Sequence, residues 1–431
     1  MPFYSREVKV LQFTSQERDD AEWLEGVYYE GKSNSGVEEV SPSITLGHKQ
    51  RQQTRDLCVS FTTTFSATPG RTERECHSTD TGDAHPVRVQ PYRMAPQAKT
   101  TIEREIKDML QMGVIRPSES AWASPVVLVP KPDGEICFCV DYRKLNAVTR
   151  PKNYPIPHTD ELPEELGRAQ FISTLNLTKG YWQVPLDESA KERSAFTTHV
   201  GLYQFNVLPY GLRYAPTTFQ RPVNNLLAGF GEFAVAYLDN VAIFSDSWEE
   251  HLEHLQAVFQ CIREAGLMVK AKKCQIGLNR VTYLGHQVGQ GTINPLQAKV
   301  NAIQNWPVPK SKKQVQSFVG LARYYRRFVP HYSQIATLLT DLTRKKQPNV
   351  VQWTEKCQKA FSQLKVALTS DPLLRAPNFD QPFVVTTDAS ERGVGAVLMQ
   401  EGPDQEFHPV VFLSKKLSER ESHWSVSEKE C

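Results

Sequence analysis

The chain lacks any Cys-x-x-Cys pair, which argues against a zinc knuckle or ribbon. Its eight cysteines are scattered over 431 residues, so reduced thiols are expected rather than a disulfide framework. No apolar run approaches the roughly 18 residues of a membrane span. The opening stretch MPFYSREVKVLQF has no apolar core of the kind a secretory signal needs. An intracellular protein, cytoplasmic or nuclear and not membrane-bound, is therefore expected. Internal repeats and low-complexity tracts are also missing. Acid is scarce in one place: residues 296–346 hold Asp341 against ten Lys and Arg, a local net charge of +9 in a chain whose total is +2. Such an excess suits a polyanionic partner. Residues 1–50 lean the other way, at −4.

What remains is ordinary globular composition, 40% hydrophobic and 23% charged. The length suggests two to four domains. Residues 1–85 carry a flexible GKSNSG stretch and few apolar residues, so little packed core is expected before about residue 90. Ile102, Ile106, Met109 and Leu110 then fall on one face of a helix predicted over 97–113. Val126 to Val129 and Ile136 to Asp141 read as strands around a Lys131-Pro132-Asp133-Gly134 turn. Phe171 to Leu175 reads as another strand. Phe233 to Leu238 and Val241 to Phe244 are apolar runs separated by Asp239-Asn240, a two-residue hairpin signal. Ser247 and Glu250 match a capping box, and Gly266 ends the helix that follows. Val281 to Val288 reads as strand, 311–328 and 355–368 as helix, and Phe383 to Thr387 and Val394 to Met399 as strands of a new unit. Asp371 to Pro382 is the expected boundary.

An acid at the tip of an apolar hairpin is held rigidly and exposed, as a metal ligand must be, although an Asp-Asn pair also makes an ordinary turn. Three other segments add context: Phe138 to Asn146 (FCVDYRKLN), Ser173 to Tyr181 (STLNLTKGY) and Leu208 to Gln220 (LPYGLRYAPTTFQ). In this order and spacing the four resemble the reverse transcriptases of gypsy-class long-terminal-repeat retrotransposons, over about 57–431. The resemblance implies an α+β fingers-palm-thumb polymerase fold followed by a truncated ribonuclease H-like α/β unit. The implied division is 1–85 poorly organised, 86–250 fingers and palm, 251–370 palm end, thumb and connection, and 371–431 partial ribonuclease H-like domain. It implies RNA-directed DNA polymerisation with hybrid-RNA cleavage, an RNA or DNA template–primer, deoxynucleotides, and two Mg²⁺ ions held by three carboxylates.

At those three positions this chain has Asn176, Asp239 and Asn240. An amide is neutral, and its NH₂ end repels a cation. The family's Arg that grips the triphosphate is matched here by Cys137, and a thiol cannot make the charge-assisted contact of a guanidinium. Asn keeps the shape and turn propensity of Asp, so the pattern preserves fold and removes chemistry. Only Asp239 is left as a palm metal ligand.

The resemblance assigns further positions. Lys131, Cys137, Tyr181 and Tyr210 fall in the nucleotide-binding region, with Tyr181 where the family excludes a ribose 2′-hydroxyl. Leu284, Gly285 and His286 match the segment that holds the primer end. Lys310, Lys312, Lys313, Arg326 and Arg327 match the thumb, where cations would meet phosphates. Asp388 and Glu430, with Glu428 as the less favoured choice, match the first metal-binding acids of ribonuclease H. The later ones are absent, so little hybrid cleavage is expected. Asp80-Thr81-Gly82 matches the aspartic-protease triplet, but polar flanks argue against that function. Three readings remain open: a weakened polymerase, an inactive nucleic-acid binder, and a non-catalytic structural partner derived from a retroelement.

Overall fold

The computed structural model describes residues 36–130, 136–152, 154–155, 161–370, 372–390, 393–418, 420–425 and 428–429. The predicted turn at 131–134 and residue Glu430 lie outside them.

Strand β1 (Ser41–Pro42) and helix α1 (His48–Ser60) come first. The expectation of little packed core before residue 90 fails here. Phe61 and Phe65 are buried, their ring centroids 5.5 and 5.4 Å from Phe259. Trp248 Nε1 also donates to Gln53 Oε1 at 3.0 Å. Helix α1 buries only Thr54 and Cys58, so its periodicity is too faint to read.

Helix α2 (Pro96–Gln111) forms where the apolar spacing places it. Pro96 suits the first turn, Ile102, Ile106 and Met109 are buried, and Gly113 follows the end at φ +64°. Next come β2 (Ile115–Pro117), β3 (Ser124–Pro130), β4 (Ile136–Val140) and the short helices α3 (Arg143–Val148) and α4 (Leu162–Gly167). Strand β5 (Phe171–Asn176) opens the palm. Strands β6 (Phe196–Thr198) and β7 (Gly201–Phe205) return to the fingers, making a sheet of order β2-β7-β6-β3-β4 with β4 at its edge.

Helix α5 (Ala215–Leu227) leads to the hairpin of β8 (Ala234–Tyr237) and β9 (Asn240–Ser245). Helix α6 (Trp248–Glu264) begins with the predicted Ser247–Glu250 capping box and buries Leu255, Val258, Phe259 and Ile262. Strand β10 (Gln275–Leu278) completes the palm sheet, ordered β1-β10-β5-β9-β8.

The segment read as one strand over 281–288 is two. β11 (Val281–Tyr283) and β12 (His286–Gly289) pair across a tight turn, with Leu284 and Gly285 at φ +44° and +72°. β13 (Thr292–Pro295) follows, then helices α7 (Lys312–Tyr324), α8 (Tyr332–Asp341) and α9 (Glu355–Thr369), which bury Phe318 and Phe361 in a second core. β14 (Leu374–Arg375) pairs with β13, so the expected boundary at 371–382 contains a strand of the preceding sheet.

The last unit is an antiparallel meander of β15 (Val384–Ala389), β16 (Gly393–Glu401) and β17 (Phe407–Lys416). Reading only two strands there missed β17. It docks on α8, where Ser333 N and Oγ donate to Ser414 Oγ and O, each at 2.9 Å. No helix among the described residues is long and apolar enough to cross a membrane.

Candidate palm site and nucleic-acid interface

Strands β5 and β9 run antiparallel, with Asn176 directly opposite Asn240, so both side chains share one face. The β8–β9 hairpin closes at the Tyr237–Asn240 pair, which makes Leu238 and Asp239 the turn residues. The sequence placed the turn one residue later, on Asp239-Asn240. The positive φ falls on Leu238, at +52°, not on an Asx residue. Left-handed backbone costs an L-residue roughly 1–2 kcal/mol, so something must hold Leu238 there. Gln220 of α5 does. Its side chain is fully buried, its Oε1 accepts from Leu238 N at 2.7 Å, and its Nε2 donates to Ala236 O at 2.9 Å. Leu177 N donates to Asp239 O at 2.8 Å, tying the tip to β5.

Asn176 Nδ2 donates to Asn240 Oδ1 at 2.9 Å and lies 3.4 Å from Asp239 Oδ2. A flipped Asn176 amide would face its oxygen to two acceptors, so the orientation follows from the network. Burial pushes the Asp239 carboxyl above its usual range. A bond from its own backbone N–H, the charge of Lys273 and the Asn176 amide pull it back.

The residues present do not fit a pair of divalent cations. Among the three positions there is one carboxylate, and the Asn176 NH₂ points into the space between the two oxygens that would face a metal. Among the described residues no group of three or more His, Cys, Asp or Glu could hold a metal ion.

An aromatic wall stands over Asp239. The Tyr181 ring lies 4.8 Å from Tyr210 and 5.2 Å from Phe219. Burial raises the Tyr210 phenol, and Asp239, Tyr181 and Cys137 add to the rise. Asn176, Asp239, Asn240, Tyr181, Tyr210 and Cys137 are thus brought to one place. Gly180 permits it, because a Cβ there would lie 2.8 Å from Phe219 Cζ and 3.1 Å from Asp239 Cβ. The loop beneath is fixed by Asn146, whose Nδ2 donates to Gly211 O at 2.8 Å and whose Oδ1 accepts from Arg213 N at 2.9 Å. Lys131 lies outside the described residues.

Sequence reading gave no role to Gln220 or Lys273. Gln220 was in view at the end of the LPYGLRYAPTTFQ segment, and Lys273 in the short cationic run 270–273. Neither announces its contacts without the fold.

The Leu284–Gly285 turn is clamped from α7. Tyr324 Oη donates to Leu284 O, and Tyr325 Oη to Gly285 O at 2.7 Å. His286 is buried, its ring 5.4 Å from Tyr324 and 5.7 Å from Phe328, so it supports the turn from within. Of the thumb cations, Lys310 and Arg326 are exposed, and Lys312 Nζ donates to Arg344 O at 2.6 Å. Lys313 is half-buried. Arg327 differs from expectation: it is buried and paired with Glu164 of α4, joining thumb to palm.

In the last unit Asp388 is exposed on β15, 3.7 Å from His331 Nδ1. Glu428 accepts from Ser425 N at 2.8 Å, which holds its carboxyl below the usual range. Asp80 sits in a surface turn, accepting from Gly82 N at 2.8 Å and lying 3.8 Å from Arg150 Nη1.

Residues 129–288 match the family described as reverse transcriptase (RNA-dependent DNA polymerase). Residues 353–431 match an RNase H-like domain found in reverse transcriptase. The retrovirus-related Pol polyprotein from transposon 297 of Drosophila melanogaster is 39% identical over 360 residues, covering 82% of this chain and 33% of the relative. That from transposon gypsy of the same organism is 35% identical over 389 residues, covering 86% and 37%. The Tf2-7 polyprotein of Schizosaccharomyces pombe is 32% identical over 343 residues, covering 79% and 26%. The chain thus spans about a third of the length of such relatives. In fold it is similar to the foamy viral protease-reverse transcriptase solved with double-stranded DNA, at TM-score 0.82, 23% identity, and coverage of 99% of this chain and 72% of that one. The same viral protein solved with an RNA/DNA hybrid gives 0.78 and 24%, covering 99% and 56%.

Proposed function

Since the chain belongs to the reverse-transcriptase and ribonuclease H-like region of retrotransposon Pol polyproteins, we propose that it is a polymerase-fold nucleic-acid binder whose own nucleotidyl transfer is crippled. The observation that carries this reading is the Asn176 amide bridging Asp239 and Asn240 where the family gathers carboxylates around Mg²⁺. When bound in an intact relative, such ions supply charge stabilisation at the attacking and leaving oxygens. Losing one preorganised electrostatic contact typically costs ~10²–10³ in rate, and losses within one unit need not add.

Several surrounding features support the binding part of this reading. The aromatic wall, the clamped Leu284–Gly285 turn and the exposed Lys310 and Arg326 are what a template–primer and a deoxynucleotide would meet. Asp388 and Glu430 would be metal-binding acids of the ribonuclease H-like unit. The protein would act inside the cell, on RNA or DNA of a retroelement.

Primer extension with Mg²⁺ and with Mn²⁺ tests the reading. The chain as it stands should extend a primer at least ~10²-fold more slowly than a variant carrying Asn176→Asp, Asn240→Asp and Cys137→Arg. Equal rates would defeat the proposal. A structural-partner role is the second reading, and salt-dependent template–primer binding separates it: a binder shows it, a purely structural partner does not.

A further inference from the structure

Strand β4 carries two thiols that the polymerase reading leaves unused. Cys137 and Cys139 are two residues apart in an extended strand, so they share a face. Phe138 points the other way, its ring 5.7 Å from Phe196 in the core. The two sulfurs lie 3.5 Å apart. Cys137 is buried and Cys139 is more open, so the pair is reached from the Cys139 side. Cys137 is also near enough to Tyr210 to influence its phenol, which places the pair beside the aromatic wall over Asp239.

We propose that Cys137 and Cys139 form a vicinal-dithiol site, in the wall of the nucleotide pocket, for a trivalent organic arsenical. Soft sulfur donors select soft, thiophilic centres. Trivalent arsenic is pyramidal and holds two sulfurs at an angle well below tetrahedral, so the sulfur–sulfur spacing it needs is close to the 3.5 Å observed. A structural zinc ion would need four ligands, and among the described residues no group of three or more His, Cys, Asp or Glu could hold a metal ion. A trivalent arsenic that already carries one organic substituent needs only two. The reaction balances without any oxidant. The As=O bond of the arsenoxide breaks, two As–S bonds form, and the oxygen leaves as water with both thiol protons; arsenic stays trivalent.

Two alternatives fit less well. A disulfide between neighbours on one strand would span roughly 6.6 Å between Cα atoms, at the far end of the range that disulfides tolerate. Alkylation needs a thiolate, and the bond with Cys137, together with burial, pushes the Cys139 thiol up and keeps its proton. Condensation with an arsenoxide consumes that proton.

The test uses the purified full chain and phenylarsine oxide at one equivalent. Intact-mass analysis should show one arsenical per chain, and peptide mapping should place it across Cys137 and Cys139. Ethanedithiol should remove it and excess monothiol should not. Cys137→Ser and Cys139→Ser should each weaken binding by about 10² or more, the usual gain from a second tethered contact. The buried Cys58 and Cys274 serve as an internal control. Mapping to any other cysteine, ready displacement by monothiol, or undiminished binding in a folded Cys137→Ser variant would overturn the proposal. If that variant does not fold, the map on the unaltered chain decides. The reading does not depend on polymerase activity, so it can fail or stand apart from the primer-extension result.

Discussion

Replacing Gln220 by Leu tests how the hairpin that carries Asp239 is held. The new side chain removes both bonds of the buried amide to the hairpin, leaving Leu238 N–H and Ala236 C=O without their partner. A buried polar group left unpaired costs about 1–3 kcal/mol, and the Leu238 φ of +52° keeps its own strain once its partner is gone. With partial relaxation, local stability of the turn should fall by about 2–4 kcal/mol. Hydrogen exchange at the amides of Leu238 and Leu177 reads that directly. At 1.4 kcal/mol per tenfold, exchange should accelerate by about 30- to 1,000-fold. Adding Leu238→Gly should recover about 1 kcal/mol, because glycine adopts the left-handed region freely. Unchanged exchange in Gln220→Leu, or no recovery from the glycine, would refute the clamp.

Three other perturbations probe other links. His251 is buried between Ser173 Oγ at 2.7 Å and Ser245 Oγ at 2.9 Å, and burial pulls its pKa down to about 3. It stays neutral in the fold and takes up a proton on unfolding, so the stability it contributes is complete above its usual pKa of ~6.5 and is lost as pH falls towards 3. His251→Gln should flatten the stability-versus-pH slope between roughly pH 6.5 and 5 by up to about 1.4 kcal/mol per pH unit; an unaltered slope in urea melts contradicts this. Phe259→Ala, at a fully buried ring, should cost about 3–5 kcal/mol and expose residues 48–65 to limited proteolysis, which an unchanged digestion pattern would exclude. Lys310→Gln and Arg326→Gln should each lower the salt slope of template–primer binding by about 1. Arg327→Met should leave that slope alone and, by removing the partner of half-buried Glu164, cost stability of about 1–3 kcal/mol; the reverse outcome would move the phosphate-facing surface.

Much of the fold was legible because periodicity and capping act locally. The face of Ile102, Ile106 and Met109 and the Ser247–Glu250 box both formed as read. The hairpin register was off by one because the turn is imposed from α5: Gln220 holds Leu238 in a conformation that its own side chain disfavours. Helix α1 was missed because its burial rests on Thr54, Cys58 and the rings that follow it, which carry no strong 3.6-residue pattern. The cationic run over 296–346 was read as one interface, yet Arg327 turns inward to Glu164, since charge counts carry no direction. Asn176 and Asn240 stand plainly in the sequence. The hydrogen bond between them was not legible, because it depends on two strands pairing in register.

The central claim is that the palm no longer gathers enough negative charge to hold its metal. Titration calorimetry of Mg²⁺ and Mn²⁺ into the chain, with template–primer and a non-hydrolysable nucleotide present, tests it most directly when run beside the Asn176→Asp, Asn240→Asp variant. No palm-site heat in the unaltered chain and clear binding in the variant is the predicted result. Equal metal affinity in the two proteins would contradict it.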